Sequence, residues 1–397
     1  MLLLTAALVL SASPARSQTP PTLEEGATGA QVESLQRRLN ARLSPSPALD
    51  VDGDFGAGTR AAVMKFQSSK GLPASGRVDA ETWKALGTDP GPGPEPPSPE
   101  VVNARPTTKR TADPLDGPPF VTAKAWAVVD ARTGGLVAGK DDDTPLDMAS
   151  TTKIMTALLV VRAAKDVPHI LEEVVTFSDR ADRTPGSTSG VKAGESLPVK
   201  ELLYGLLLPS GNDAAVAFAQ HFGGRFSTGK IGPFADEPKD QQPKDAVEAF
   251  VAEMNRVAGE LGLKQTRFAN PHGLPAREHH TSARDLARLA IEALKDPVFA
   301  RVVATSRRGC TLNGPDGRTR NVVWTNTNRL LDIEGYDGVK TGTTTAAGNC
   351  LVASGHHGPD HLIVVILGST STDGRYVDAR NLFRWAFRQR SAGGGRR

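Results

Sequence analysis

Apolar residues near the start of the chain recur at three- and four-residue steps, the spacing of one helix face. The stripe consists of Val32, Leu35, Leu39 and Leu43. It predicts a helix that ends at about Leu43, and a second helix is expected over 59–68. A third helix opens at Asp79, whose side chain can cap the first helical amides, and ends at Gly87. These helices predict a small three-helix domain over 22–87.

Beyond residue 120 the pattern alternates between strand-like and helical segments. Strand-like runs occupy 124–130, 135–139, 350–354 and 361–367. Helical runs occupy 150–165, 198–208, 212–222, 244–262 and 282–295, and a last one begins at about Asp378. Strands at both ends with helices between them predict an α+β domain over 120–390, whose terminal segments meet in one sheet.

A proline-rich stretch separates these two regions. Ten of the 32 residues over 88–119 are proline, so this segment is expected to be an extended, semi-rigid linker. At the start of the chain, residues 2–10 form an apolar run followed by small residues, the pattern of a signal peptide, which we place at 1–18. That run is too short to cross a membrane. We therefore expect an exported protein of the periplasm or cell wall, with no transmembrane segment in the mature chain.

The composition is that of a globular protein, since 39% of the 397 residues are hydrophobic and 23% are charged. The 47 Lys and Arg residues nearly balance the 44 Asp and Glu residues, which leaves a net charge of +3. Bulk charge therefore predicts no nucleic-acid partner. Export makes Cys310 and Cys350 candidates for a disulfide, and two buried thiols are the alternative.

The first candidate for chemistry is Ser150-Thr-Thr-Lys153, at the start of a predicted helix that is apolar on nearly every face. Residues three apart share a face, so the Lys153 amine is expected to lie over the Ser150 hydroxyl. Burial and the positive end of the helix dipole both favour the neutral amine, which would be a general base beside a nucleophile. The alternative is a serine N-cap with a lysine that reaches solvent.

The second candidate is Pro209-Ser-Gly-Asn212, a corner between two apolar helical runs. Here Ser210 could relay a proton to a leaving amine, and Asn212 could hold the peptide bond of a substrate. Taken alone, the segment is an ordinary helix-to-helix turn, because all four residues are turn formers.

The third candidate is Val339-Lys-Thr-Gly342, which suits a strand whose glycine lets a substrate backbone come close. Lys340 and Thr341 would bind an anionic carboxylate, whereas an exposed strand edge with an ordinary lysine is the alternative. The three candidates follow the order Ser-x-x-Lys, Ser-x-Asn and Lys-Thr-Gly, a set that characterises penicillin-binding proteins and class A β-lactamases.

The sequence resembles the low-molecular-mass penicillin-binding proteins that act as serine-type D-Ala-D-Ala carboxypeptidases. The resemblance rests on Met148-Ala-Ser-Thr-Thr-Lys-Ile-Met-Thr, Leu206-Leu-Leu-Pro-Ser-Gly-Asn-Asp-Ala-Ala, Asn270-Pro-His-Gly-Leu and Gly338-Val-Lys-Thr-Gly. It implies a penicillin-binding/β-lactamase-like domain, with an antiparallel sheet flanked by helices and a helical subdomain. The segment 223–245 departs from the family as an insertion, which we expect to be a loop.

The same resemblance implies roles for the site residues. Ser150 would attack the penultimate D-Ala carbonyl, terminal D-Ala would leave, water would hydrolyse the acyl-enzyme, and β-lactams would acylate the same oxygen. The backbone amides of Ser150 and Thr343 would stabilise the tetrahedral oxygen. Arg375 could help Lys340, Thr341 and Gly342 to bind the substrate carboxylate, and a structural salt bridge is the alternative for it. We expect no cofactor and no metal.

The upstream module resembles a helical peptidoglycan-binding domain. The matching runs are Gly26-Ala-Thr-Gly-Ala-Gln-Val-Glu-Ser-Leu-Gln, Asp52-Gly-Asp-Phe-Gly-Ala-Gly-Thr and Gly76-Arg-Val-Asp-Ala-Glu-Thr-Trp. A calcium loop is disfavoured at Asp50-Val-Asp-Gly-Asp-Phe, because its sixth position is Phe55 and its twelfth is Ala61. Phe55 and Trp83 are expected in the core, and peptidoglycan is the expected partner of the module.

Other functions share some of these features. A D,D-endopeptidase that cuts cross-links would use the same residues. A class A β-lactamase would need a Glu-x-x-x-Asn loop, and the nearest sequence, Glu253-Met-Asn255, is expected on the surface of a helix. An inactive wall-binding protein would not need the intact motifs. A metal hydrolase is disfavoured, because no His-Glu-x-x-His occurs and the pairs His279-His280 and His356-His357 lie in predicted turns.

Overall fold

The computed structural model describes residues 22–87, 98–104, 121–227 and 245–394, which belong to two compact units, Met1–Gly93 and Pro94–Arg397. The predicted signal peptide and most of the predicted linker lie outside the described residues. The domain limits at 22–87, 88–119 and 120–390 stay predictions. Within the linker segment, residues 99–103 form a short helix, and the Asn103 side chain accepts a hydrogen bond of 2.8 Å from Gly309 N.

The first unit contains the three predicted helices, α1 (Ala30–Arg42), α2 (Ala57–Ser69) and α3 (Ala80–Leu86). Asp79 caps α3 by accepting from Thr82 N at 2.8 Å. Phe55 and Trp83 lie in the core that the three helices enclose, as predicted.

Two buried glutamines join the helices of the first unit to its loops. Gln36 donates to Asp52 Oδ1 at 2.7 Å and accepts from Gly53 N at 3.0 Å. Gln67 accepts from Gly76 N in the same way, at 3.0 Å. A primary amide can both donate and accept, so each glutamine satisfies backbone and side-chain groups of a loop that would otherwise be buried unpaired. The Asp52 loop is therefore held by a side-chain amide.

The helices of the second unit are α4 (Pro99–Asn103), α5 (Lys153–Asp166), α6 (Asp179–Asp182), α7 (Val199–Leu207), α8 (Asn212–Ser227), α9 (Ala246–Glu260), α10 (Ala283–Leu294), α11 (Pro297–Val303) and α12 (Thr372–Gly394). Its strands are β1 (Ala125–Asp130), β2 (Leu136–Lys140), β3 (Val174–Thr176), β4 (Ser196–Pro198), β5 (Arg307–Asn313), β6 (Thr319–Thr325), β7 (Tyr336–Thr344), β8 (Gly348–His357) and β9 (Asp360–Ser369). Short 3₁₀ turns lie at Ala149–Thr152, Pro168–Glu172 and Arg329–Asp332.

The main sheet is antiparallel and has the order β2-β1-β9-β8-β7. Val128 of β1 pairs with Val364 of β9, so the first and last strands of the unit are neighbours, as the α+β prediction required. One apolar face of this sheet packs against α12, and the other faces the helical core around α5. The predicted fold class is confirmed.

A second antiparallel sheet, of order β3-β4-β5-β6, was not predicted. Strands β3 and β4 have only three residues each, too few to show a period. In β5 and β6, arginine, threonine and asparagine alternate with the buried positions, and this polar content hid the pattern. Short strands of this kind are fixed by pairing with their neighbours more than by local preference.

Several predicted boundaries and contacts need correction. Helix α8 continues through Ser227, so residues 223–227 of the expected insertion loop are helical, and 228–244 lie outside the described residues. Helix α12 begins at Thr372, six residues before the predicted start. Cys310 and Cys350 are free and buried, which selects the two-thiol alternative. Within the described residues, no helix is both long and apolar enough to cross a membrane.

Candidate active site

Ser150 and Lys153 lie at the entrance to the most deeply buried helix of the second unit. Residues Ala149–Thr152 form a 3₁₀ turn that leads into α5, so the α-helix itself begins three residues later than predicted. In a 3₁₀ turn the side chains at positions i and i+3 eclipse one another. The Lys153 Nζ accordingly lies 3.0 Å from Ser150 Oγ. The lysine is fully buried, which excludes the alternative of a lysine that reaches solvent.

The Lys153 amine has two other polar neighbours, Asn212 Oδ1 at 2.6 Å and the His272 carbonyl at 2.7 Å. Burial holds the pKa of Lys153 well below its usual range, and the positive charge of Lys340 lowers it further. The carboxylate of Asp213 opposes this shift by attraction. Desolvation is therefore the main cause of the lowered pKa, and it favours the neutral amine expected from the sequence.

Ser210 and Asn212 form the corner between α7 and α8. Ser210 has a φ of 69°, a left-handed conformation that is strained for a side chain other than glycine. Its hydroxyl is buried and has no hydrogen-bond partner among the described residues. Asn212 donates through Nδ2 to the Pro185 carbonyl at 2.7 Å, which turns Oδ1 towards Lys153. The corner thus brings one unpaired hydroxyl and one oriented amide to the site.

A buried carboxylate next to this corner was missed by the sequence reasoning. Asp213 accepts hydrogen bonds from Ser189 N, from the hydroxyls of Thr188 and Ser189, and from Ala214 N, all between 2.8 and 2.9 Å. Burial raises its pKa, although these hydrogen bonds act in the opposite direction. Asp213 was part of the quoted motif, but its partners Thr188 and Ser189 lie 25 and 24 residues earlier in the chain. The carboxylate fixes the segment 187–190 against the start of α8.

Strand β7 carries the third motif and passes directly against the turn that holds Ser150. A Cβ atom on Gly342 would lie 2.9 Å from Ser150 N and 3.0 Å from Ala149 Cβ. Glycine permits this close approach, but the neighbour is the chain's own turn at Ala149 and Ser150, whereas the expectation from the sequence was a substrate backbone. Thr341 is buried and shares a hydrogen bond of 2.6 Å with the Thr327 hydroxyl, whereas Thr343 is exposed.

Lys340 is as deeply buried as Lys153, which excludes the exposed-strand alternative. Its Nζ donates to the Thr341 carbonyl at 2.9 Å. The pKa of Lys340 is lowered to about 7. Burial is the main cause, and the positive charge of Arg375 is the second. The site therefore contains two buried amines whose positive charge is destabilised by their surroundings.

Arg375 lies behind β7 on helix α12. Its Nη1 donates to Thr343 Oγ1 at 3.0 Å and to the Gly342 and Cys350 carbonyls at 3.3 and 3.5 Å. Within the described part of the chain, no carboxylate lies at salt-bridge distance from it, so the salt-bridge alternative is wrong. The guanidinium supports the backbone of β7 next to the site.

The segment 270–280 closes the site opposite β7. Its His272 carbonyl contacts Lys153, and Gly273 has a φ of 100° and packs so closely on the Ala149 carbonyl that a Cβ would overlap it. His279 accepts from Ala269 N at 2.9 Å through Nδ1, and its Nε2 lies 2.9 Å from the Thr152 hydroxyl. The motif Asn270-Pro-His-Gly-Leu was part of the resemblance to the family. The contact of the His272 backbone carbonyl with Lys153 was not predicted from the sequence.

A cavity of about 600 Å³ lies beside this segment, between it and α9. Its lining includes His272, Asn255, Arg277 and the ion pair of Arg267 with Glu278. Glu253 of α9 is buried and paired with Arg256 at 2.8 Å, so the expectation that it lies on the surface is wrong. Its carboxylate forms an ion pair with Arg256.

The three motifs, which are separated by 60 and 130 residues in the chain, thus meet at one place. Lys153 connects the first motif to the second through Asn212, and Gly342 packs the third against the first. A hydroxyl beside a buried amine, a second unpaired hydroxyl and a buried cation are the groups needed for acyl transfer from an anionic substrate.

The comparison with protein families gives two matches. A model described as D-alanyl-D-alanine carboxypeptidase, peptidase S11, matches residues 111–228 and 244–371. A model of a peptidoglycan binding domain matches residues 28–86. The first match covers more than half of the chain, and the second coincides with the three-helix module.

Relatives of known name agree with the family match. The D-alanyl-D-alanine carboxypeptidase DacF of Bacillus subtilis is 35% identical over 269 residues, which make up 67% of this chain and 62% of that protein. DacA of Escherichia coli is 32% identical over 281 residues, or 69% of this chain and 63% of that protein. The matched region thus spans slightly less than two thirds of the length of both relatives.

A relative of more similar size comes from Streptomyces strain K15. Its D-alanyl-D-alanine carboxypeptidase is 31% identical over 274 residues, which cover 88% of its length. The crystal structure of the Streptomyces K15 DD-transpeptidase superposes with a TM-score of 0.60 at 31% identity and covers 69% of this chain and 100% of the other. The second unit therefore has the same fold as that enzyme.

Proposed function

The chain belongs to the D-alanyl-D-alanine carboxypeptidase family, and from this premise we propose that it removes the terminal D-Ala from peptidoglycan stem peptides through an acyl-enzyme on Ser150. The observation that carries the proposal is the surroundings of the Lys153 amine. Asn212 Oδ1 and the His272 carbonyl can only accept hydrogen bonds, so they take both hydrogens of a neutral amine. In the neutral amine the lone pair would then point to the remaining neighbour, Ser150 Oγ, which lies 3.0 Å from Nζ.

In the first step, Lys153 takes the proton of the Ser150 hydroxyl while Oγ attacks the penultimate D-Ala carbonyl. The negative charge that forms on the carbonyl oxygen is stabilised by the backbone amides of Ser150 and Thr343. The proton then passes from Lys153, by way of the Ser210 hydroxyl, to the nitrogen of the leaving D-Ala. In the second step, water attacks the carbonyl of the acyl-enzyme ester while Lys153 again takes the proton. The Ser150 ester bond breaks, and the shortened peptide is released.

Substrate binding depends on the third motif. Lys340 and Thr341 bind the carboxylate of terminal D-Ala, Gly342 and Thr343 lie along the peptide backbone, and Asn212 holds the scissile peptide bond. Arg375 acts as a positioning residue, because its hydrogen bonds go to the β7 backbone and the Thr343 hydroxyl.

We further propose that the protein is exported and binds the cell wall through residues 22–87. The match to a peptidoglycan binding domain supports this role, since substrate and anchor would then be parts of one polymer. β-Lactams are expected to acylate Ser150, because their strained amide occupies the place of the D-Ala-D-Ala bond.

Transfer of the acyl group to an amine is a second candidate function. It is favoured by one observation, that the superposed Streptomyces structure is a DD-transpeptidase. Both reactions share the acyl-enzyme and differ in whether water or an amine receives it. Adding an amino-acid acceptor to a D-Ala release assay separates them, because a transpeptidase makes the new peptide bond and a carboxypeptidase makes only the shortened peptide.

The experiment that tests the site is labelling with fluorescent penicillin, followed by mass spectrometry of the labelled peptide. We expect one adduct on Ser150, its loss in Ser150→Ala, and normal labelling of the control Ser68→Ala, which changes an exposed serine of the other unit. A label on another residue, or a Ser150→Ala variant that still reacts, would contradict the assignment of the nucleophile.

A further inference from the structure

Three side chains with metal-binding groups meet on neighbouring strands of the main sheet, outside the machinery described above. Asp337 lies on β7, His356 on β8 and His361 on β9. His356 and His361 are direct cross-strand partners. Asp337 occupies a bulge between Tyr336 and Gly338, and bulges re-aim the side chains that they carry. The three side chains therefore come from three strands that the fold holds in fixed register.

The distances within this cluster are short. One ligand atom from each of the three residues lies within 4.8 Å of the others, and no other such group of three occurs among the described residues. His356 Nε2 is 2.8 Å from Asp337 Oδ2, and the two imidazole rings stack with centroids 4.0 Å apart. The second carboxylate oxygen of Asp337 is shielded from solvent and accepts no hydrogen bond of normal geometry in the described part of the chain, with only a weaker contact from the nearby Ser354 hydroxyl. A bound ion is one way in which such a buried oxygen gains a full contact.

We propose that Asp337, His356 and His361 form a binding site for a zinc ion. Two imidazoles and one carboxylate are a ligand set that zinc accepts, with its fourth position left to water. The ion would replace the direct contact between His356 and Asp337 and would lie between the three ligand atoms. The Ser354 hydroxyl, 2.8 Å from His361 Nε2, orients one of the rings, as polar groups next to metal ligands commonly do.

The position of the site gives it a structural effect. Asp337 precedes Lys340 by three residues, which is about 10 Å along a strand. A zinc ion here would join the start of β7 to β8 and β9, close to the segment that packs against Ser150. Since the ion would bind the folded chain, its presence at a hundred times its dissociation constant would shift the unfolding equilibrium about a hundredfold towards the folded state. The site is distinct from the proposed acyl-transfer chemistry.

The test is to titrate zinc chloride into the full chain. The protein is prepared without an affinity tag and is stripped of metal beforehand. Calorimetry should give one zinc ion per chain, and thermal unfolding should move to a higher temperature. We expect His356→Gln and Asp337→Asn to lose at least about tenfold in zinc affinity, since even groups behind the ligands change it by that much. The matched control is His357→Gln, which alters an exposed histidine next in the chain.

Hydrogen exchange gives a second readout that requires no variant to fold. Zinc should slow exchange of the backbone amides around 336–338 and 355–362 and leave the first unit unchanged. Absence of zinc binding, or equal binding by wild type, His356→Gln and Asp337→Asn, would overturn the proposal. Penicillin labelling of the same samples reports on Ser150 independently, so failure of the zinc site and failure of the proposed enzyme activity can be distinguished.

Discussion

Replacing Lys340 by arginine should remove the loss of activity that wild type is expected to show at alkaline pH. Burial and the charge of Arg375 lower the pKa of Lys340 to about 7, so about half of the free enzyme carries the cation at neutral pH. Arginine keeps its charge at every pH at which the protein is folded. The comparison therefore isolates the titration of one buried group.

The magnitude follows from that pKa. A group with a pKa of about 7 is half protonated at pH 7 and about 1% protonated at pH 9, so kcat/KM for an anionic substrate should fall by up to about 50-fold over this interval, the limit being reached if the uncharged form is inactive. Lys153 acts in the opposite sense, because it must be neutral to serve as a base. Its lowered pKa gives a rate that rises as pH increases through that pKa.

The assay is release of D-Ala from a stem pentapeptide between pH 5 and pH 10, at substrate concentrations below KM. The same peptide with its terminal carboxylate converted to an amide should lose the alkaline fall, because no anion has to be bound. Lys340→Met should lower kcat/KM at pH 7 by about 10- to 100-fold, which corresponds to one charged hydrogen bond of about 1.5–3 kcal/mol.

The matched control is Lys295→Arg, which changes an exposed lysine paired with Glu292 and should leave the pH profile unchanged. An alkaline fall of the same size in wild type and in Lys340→Arg would refute the reasoning, because another group would then titrate. A fall that persists with the amidated peptide would refute it equally.

Two further predictions concern the base and the first unit. Lys153→Ala should slow acylation by penicillin by about 10²- to 10⁴-fold, because the general base is lost, while non-covalent binding of penicillin should remain. Acylation at a near-normal rate in a stopped-flow labelling experiment would show that another group takes the proton. Removal of residues 19–90 should reduce co-sedimentation with purified cell walls and leave turnover of a soluble pentapeptide unchanged, because the first unit has its own core; unchanged co-sedimentation would place the wall-binding surface in the second unit.

The sequence predicted those parts of the molecule that depend on local patterns. The helices of the first unit follow an apolar period and the Asp79 cap, and the contact of Ser150 with Lys153 follows from their three-residue spacing. The meeting of three distant motifs was predicted from their resemblance to a family, because spacing along the chain carries no information about folding in space.

What the sequence did not predict depends on backbone atoms and distant partners. The His272 carbonyl is one of two groups that fix the Lys153 amine, yet any residue supplies a carbonyl. The ties between Asp213 and Ser189 join segments whose proximity only the fold determines. In the proposed zinc site, the sequence predicted a turn for His356, a strand for His361 and no element for Asp337. Only the register of β8 and β9 places His356 opposite His361.

The turn that carries Ser150 is held between two glycines, with Gly342 on one side and Gly273 on the other. A side chain at either position would overlap backbone atoms of this turn, so the turn would have to shift and carry Ser150 with it. Substitutions of Gly342 or Gly273 are therefore expected to impair labelling by penicillin and release of D-Ala together.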